Sequence, residues 1–272
     1  MSEARFGFGK NWSHYLKLVD ETRIAEACRS ITQPLGVERL DGLRFLDIGS
    51  GSGLSSLAAH RLGASVHSFD YDPDSVACTK TLRETYGSSS PAWTVEQGSA
   101  LDRDYLAGLG KFDIVFSWGV LHHTGEMWKA IGNASEMVAP GGRLFISIYN
   151  DQGVTSKRWL RVKQMYVNGG SINRALALAI TFGWAWGWQL TRDFVKLRGL
   201  ASWRAYSERG MSPWYDLVDW AGGYPFEVAK PEEIFAFLRA RGFQLDFMKT
   251  CGGGKGCNEF ILTRTTPAAV AA

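Results

Sequence analysis

Two groups of residues in this 272-residue chain have the types and spacing to do chemistry. The first is Asp47-x-Gly49-x-Gly51-x-Gly53, with Asp70 standing 23 positions after Asp47. Glycines in such a turn let a ligand approach the backbone at a helix N-terminus. Turns of this kind also serve dinucleotides, and others are packing corners that bind nothing. The acids discriminate. A carboxylate just before the glycines repels a pyrophosphate and can hold a cationic amino group. A carboxylate placed like Asp70 can accept both hydroxyls of a ribose. The second group is His122 and His123 in "LHHT". Imidazole titrates near neutrality, which suits a general base. The same side chains could instead cap a loop.

Both groups need a scaffold that brings strand ends together. "LRFLDI" is a short apolar run, as in a strand buried on both faces. The glycines follow, then "LSSLAAHRLG" at helical spacing and the strand "SVHSFD". The alternation continues: a helix over "DSVACTKTLRETYG" with Asp74 as N-cap, and strands "AWTVEQG" and "FDIVFSWGVL". Next come a helix over "MWKAIGNASEMVAPGG" ended by Pro140 and two glycines, and the strand "RLFISIYN". This is the rhythm of an α/β, Rossmann-like, doubly wound sheet, in which ligands bind at the carboxyl ends of the strands. After residue 226 the fold resumes with the helix "KPEEIFAFLRARG" and the strands "FQLDFMKT" and "NEFILTRT". The expectation is seven strands, mostly parallel, with an antiparallel last strand.

The four quoted segments "LDIGSGSGLSSLAA", "FDYDPDSV", "FDIVFSWGVLHH" and "MVAPGGRLFISIY" resemble, in that order, motifs of class I S-adenosylmethionine-dependent methyltransferases. The similarity is to the branch of the ubiquinone and menaquinone enzymes. It covers roughly residues 40–150 and resumes weakly at 228–265. The resemblance implies S-adenosylmethionine as cofactor, with S-adenosylhomocysteine as product. Asp47, Gly49, Ser50, Gly51 and Gly53 would hold its methionine end, Asp70 its ribose, and Tyr71 its adenine. Ser99 and Ala100 fall where the family contacts the adenine edge; many members carry Asp at the Ser99 position, and this chain departs there. Trp118 and Gly119 would line the cofactor after the fourth strand. An arm over residues 1–40 would close over it, with Trp12 and Tyr15 three apart and able to face inward together. His123 aligns with a histidine that similar O-methyltransferases place near the acceptor, with His122 beside it. Tyr149 and Asn150 end the fifth strand on the same edge.

The core is thus expected at 41–150 and 227–265, with a helical cap inserted at 151–226. Between Asp151 and Gly210 stand ten Lys or Arg against three acids, a net +7. The whole chain is only +3. Seven of the eleven tryptophans lie between Trp159 and Trp220. A basic, tryptophan-rich helical cap can wall an acceptor pocket, lie in a membrane interface, or serve a tRNA substrate. Its cations are interleaved with apolar helix rather than stacked on a groove, which argues against nucleic acid. The reading is therefore a methyltransferase for a small-molecule acceptor, through a hydroxyl on an aromatic, lipid-like or sugar-linked molecule. A cofactor-binding or membrane-surface protein without turnover is the other alternative.

"CGGGKGCNEF" links the last two strands. Cys251 and Cys257 are two ligands at an unusual spacing, whereas zinc needs four, so no metal is expected. A glycine-rich hairpin explains the run. It would put Lys255, Asn258 and Glu259 along the acceptor pocket, with Glu227 as a further substrate contact. The N-terminus lacks the apolar core of a signal peptide. The pattern is that of a cytoplasmic protein with peripheral membrane contact through the cap.

Overall fold

The run "RFLDI" forms β1 (Arg44–Ile48), whose Phe45, Leu46 and Ile48 are wholly buried. A strand apolar on both faces belongs mid-sheet, covered on both sides. The structure, a computed structural model, describes residues 16–89, 92–196 and 213–265, together with Gly9, Trp12 and Trp203. The other strands are β2 (Ser65–Asp70), β3 (Trp93–Gln97), β4 (Phe112–Trp118), β5 (Val138–Tyr149), β6 (Phe243–Lys249) and β7 (Cys257–Arg264). They order as β3-β2-β1-β4-β5-β7-β6. The pairs from β3 to β5 are parallel, and β7 runs antiparallel to both of its neighbours.

In chain order the helices are α1 (Glu21–Leu35), α2 (Leu54–Arg61), α3 (Pro73–Tyr86), α4 (Arg103–Leu109), α5 (Met127–Glu136), α6 (Val154–Asn168), α7 (Ser171–Val195), α8 (Pro213–Gly222) and α9 (Pro231–Arg239). One sheet face packs Leu46, Ile48, Val115 and Ile146 against Met127 and Ile131 of α5 and Ile234 and Leu238 of α9. The opposite face packs Phe45, Val66, Ile114 and Phe116 against Ile31 of α1, Leu57 of α2 and Val76 of α3. Burying each such side chain contributes about 1.5–3 kcal/mol. Helices α6, α7 and α8 pack on one another outside these layers.

Local details depart from the sequence reading. Helix α3 is capped by Asp72, which accepts from Asp74 N at 3.0 Å. Pro73 takes the first-turn position, where a missing N–H costs nothing, so Asp74 lies inside the helix rather than at its cap. Helix α5 stops at Glu136, and Val138 already pairs with Phe112, so Pro140 and the two glycines belong to β5. The register shifts between Phe112 and Ile114, and that irregularity accommodates them. Helix α4 was not visible in the apolar pattern; Asp102 starts it by accepting from Tyr105 N at 3.0 Å.

The turn after β1 is closed by contact with the loop after β4. A Cβ on Gly49 would lie 2.4 Å from Val120 Cγ1, and Gly49 holds φ at 79°. Gly49→Ala should therefore destabilise the fold by about 1–3 kcal/mol in urea titration. Adding Val120→Ala should recover part of that loss, leaving the backbone strain. Strictly additive effects of the two changes would show that the contact does not exist.

Candidate active site

Asp47 ends β1 and is buried at 2% exposure. Its Oδ2 accepts the Ser56 hydroxyl of α2 at 2.5 Å. The Ser56 and Ser68 hydroxyls are 2.6 Å apart, and Trp93 Nε1 donates to Ser68 at 2.8 Å. Because the Ser56 proton goes to Asp47, Ser68 must donate to Ser56. The donors thus run one way, from Trp93 of β3 to Asp47. No other hydrogen bond reaches the Asp47 carboxylate among the described residues. Burial pushes this carboxyl up to about 7, against the Ser56 hydrogen bond and with help from Asp70. A buried carboxylate with no cation beside it among the described residues fits a cationic ligand group.

Asp70 ends β2, and its two oxygens accept from Gly51 N and Asp72 N, both at 2.9 Å. A carboxylate with two oxygens can also accept from two neighbouring hydroxyls. Burial pushes this carboxyl up as well. Ser50 and Thr79 place their hydroxyls 2.9 Å apart, which ties the turn to α3. Gly53 lies so close to α3 that a Cβ would sit 2.9 Å from Thr79 Cα. The N-terminal arm reaches this place. Gly9 N donates to Asp72 Oδ2 at 2.9 Å, and Trp12 Nε1 lies 3.2 Å from where a Cβ on Gly51 would be. Tyr15 lies outside the described residues. Tyr71 and Trp118, at the ends of β2 and β4, are 59% and 53% exposed, and Gly119 follows with φ at 76°. The Ser99 hydroxyl accepts from Leu101 N at 3.2 Å, and the Ala100 carbonyl accepts from Asn133 Nδ2 at 2.9 Å.

Val120, which covers Gly49, also leads to the histidines: its carbonyl accepts from His123 N at 2.8 Å. The two rings have different surroundings. His122 is buried, and Tyr149 N–H donates to its Nδ1 at 3.3 Å. Its proton is then on Nε2, which has no hydrogen-bond partner. Its ring packs 3.9 Å from that of Tyr149, and burial holds it far below the usual imidazole range. His122 thus packs at the exit of β5. His123 bonds the Pro225 carbonyl through Nδ1 at 2.6 Å. The carbonyl only accepts, so Nδ1 carries the proton and Nε2 the lone pair, which is the tautomer a base needs. Burial pushes His123 down to about 4, and the Lys163 ammonium acts in the same direction. Tyr149 stands edge-on to His123 at 5.4 Å, and burial raises its hydroxyl well above the ordinary value.

The remaining candidates serve mostly to hold one another. Asn258 Nδ2 donates to Asn150 Oδ1 at 3.0 Å, and Asn150 Nδ2 donates to the Gly254 carbonyl at 3.1 Å. The pair pins the glycine-rich hairpin to the end of β5, which leaves little of either amide for a substrate. Glu227 accepts from Met127 N with both oxygens, at 3.1 and 3.0 Å, capping α5. Glu259 meets Lys249 at 3.4 Å across the β6–β7 ladder. Lys255 Nζ sits 4.0 Å over the Trp184 ring and joins the hairpin to the cap. Cys251 and Cys257 are free thiols, and no group of three or more metal-type ligands occurs among the described residues. Val120, Ser56, Ser68 and Lys163 were not singled out in the sequence. Of these only Lys163 left a signal: it shares its helix face with Ser156 and Trp159.

Comparison with known proteins agrees with this geometry. A family described as "Methyltransferase domain" matches residues 46–144. A ubiquinone biosynthesis O-methyltransferase of Rhizobium johnstonii is 32% identical over 127 residues, 46% of this chain and 49% of that protein. The chain thus spans about half the length of the curated relatives it matches. A magnesium protoporphyrin IX methyltransferase from Synechocystis PCC 6803, solved with bound SAH, shares the fold. Its TM-score is 0.53 and its identity 15%, over 91% of this chain and 89% of that one. The cyclase SpnF is as close in shape, with a TM-score of 0.53 at 13% identity over 89% of this chain and 80% of that one. The fold alone therefore does not fix a reaction, and the local sequence match carries the assignment. Residues 46–144 match a methyltransferase domain, and this stretch is similar to the ubiquinone O-methyltransferases.

Proposed function

We propose that the chain transfers a methyl group from S-adenosylmethionine to a hydroxyl of a small-molecule acceptor. The observation that carries the reading is the buried Asp47 carboxylate, which meets no cation among the described residues, under a glycine turn and beside Asp70. Bound S-adenosylmethionine supplies an electrophilic methyl group on a sulfonium. The chain's own part is alignment and exclusion of water. The Asp47 end of the turn holds the amino group, and Asp70 accepts the ribose hydroxyls. Tyr71 and Trp118 offer faces to the adenine, while Trp12 covers Gly51. His123 Nε2 takes the proton of the acceptor hydroxyl. Tyr149, Trp220 and Phe226 form an aromatic cluster beside it, with centroids 5.4–6.5 Å apart, and such a wall suits an aromatic or lipid-like acceptor.

One observation favours an added membrane contact. Helix α7 carries no charged residue from Ala175 to Thr191. Ile172, Leu176, Ile180, Trp184 and Trp188 stand four apart and are 85%, 51%, 43%, 42% and 75% exposed. Arg174 and Arg192 flank the uncharged run. No described helix is long and apolar enough to cross a membrane. An exposed apolar helix face with cationic ends rests instead in an anionic lipid interface.

Three outcomes test these statements. Between pH 4 and 7 the folded chain binds more protons at Asp47 than the unfolded chain, because its carboxyl is raised from 3.8 to about 7. The ligand-free protein should therefore lose stability as pH rises through that window. Asp47→Asn should flatten this slope in thermal melts and weaken S-adenosylmethionine binding by about tenfold or more, ~1.4 kcal/mol, in calorimetry. A variant with wild-type slope and affinity would remove Asp47 from the account. His123→Gln should cut turnover on the acceptor by about 10²–10⁴-fold while cofactor affinity stays unchanged; undiminished turnover would mean that His123 is not the base. Finally, the protein should sediment with phosphatidylglycerol vesicles, and Ile180→Glu with Trp188→Glu should abolish this. No sedimentation above a vesicle-free control at low salt would rule the contact out.

A further inference from the structure

Lys163 of α6 is completely buried. Its ammonium donates to the Trp220 carbonyl and lies 4.5 Å over the Trp220 ring and 4.9 Å over the Phe226 ring. That is one hydrogen bond for three N–H donors. Cation–π contact offsets part of the desolvation, yet an aliphatic side chain would fill this place at lower cost. The position of the charge gives the reason for keeping it. A Cβ on Gly223 would lie 3.3 Å from His123 Cε1 and 3.4 Å from Lys163 Nζ. The ammonium and the imidazole therefore flank one notch at Gly223, which the Asp219 carbonyl also lines, 2.9 Å from the same point.

We propose that Lys163 is a positioning residue for the base: its charge, held across the Gly223 notch, keeps the His123 ring unprotonated and Nε2 ready for the acceptor proton. The proposal rests on the reading of His123 as the base.

The surroundings of His123 on every packed element support it. From its own turn it faces the His122 ring, at 4.5 Å, and from β5 the edge of Tyr149. The Pro225 carbonyl accepts from its Nδ1. Helix α6 presents Lys163, and α8 presents Asp219, which favours the charge on Lys163. Among the described residues Lys163 is the one cation in this set. Burial lowers it to about 7, so it remains an ammonium below neutrality. That is the range in which an ordinary imidazole would take up a proton. Each protonation of His123 there would place a second positive charge beside the first.

The test needs no acceptor. The chain has five histidines, so their Cε1–H signals can be followed by NMR during a pH titration and His123 assigned from His123→Gln. In the wild type His123 should stay neutral down to about pH 4. Lys163→Met, with similar volume and no charge, should raise its midpoint by about one unit or more, and Lys163→Arg should keep it low. Where Lys163→Met does not fold, Lys163→Gln gives the same reading. A folded, neutral variant with an unmoved His123 midpoint overturns the proposal. Turnover retained in His123→Gln would overturn the base assignment instead and leave the titration result standing, so the two failures are distinguishable.

Discussion

The structure depends on a carboxylate buried where no cation among the described residues meets it. Asp47 stands next to last in β1, and its neighbours are arranged around its charge. Ser56 donates to it, Ser68 stands behind Ser56, and Trp93 behind Ser68, so α2, β2 and β3 are joined to β1 by one directed set of hydrogen bonds. Asp70 fixes the glycine turn from the other side through Gly51 N. Two carboxylates at one strand edge repel each other, and burial strengthens the effect. The ligand-free fold therefore carries electrostatic strain at the place where a cationic, ribose-bearing molecule would relieve it.

The second half of the site is joined to the first through Val120. Its side chain covers Gly49, and its carbonyl accepts from His123 N. Adjacent histidines then diverge because the backbone sets their tautomers. His122 takes a strand N–H on Nδ1, whereas His123 gives its Nδ1 proton to a carbonyl. The cap helices hold one another through Trp159, Trp184 and Trp220, 4.5–5.8 Å apart. Lys255 reaches over Trp184, and Trp220 meets Tyr149 of β5 at 5.7 Å. This places an apolar wall next to His123.

The sheet was legible because its signals are local. Strands apolar on both faces, broken by glycine turns, admit few arrangements, and the antiparallel end followed from the hairpin glycines. Partners far along the chain leave no local sign. The β5–β7 register brings Asn150 and Asn258 together, and Glu227 caps α5 from 100 residues away. The cap of α3 was displaced by two residues because Pro73 at the first turn makes Asp72, not Asp74, the residue before the helix. Lys163 counted toward a basic surface in the sequence. Its spacing from Ser156 and Trp159 marks a buried helix face, and only the packing of α8 shows what it faces.

A crystal structure of the protein grown with S-adenosylmethionine tests the central claim most directly. The account predicts the ribose hydroxyls on the two oxygens of Asp70 and the amino end at the Gly49–Gly51 turn beside Asp47, with the methyl group directed toward the His123 side of Val120. Density for the molecule elsewhere on the chain, or an empty turn at a saturating concentration, would contradict it.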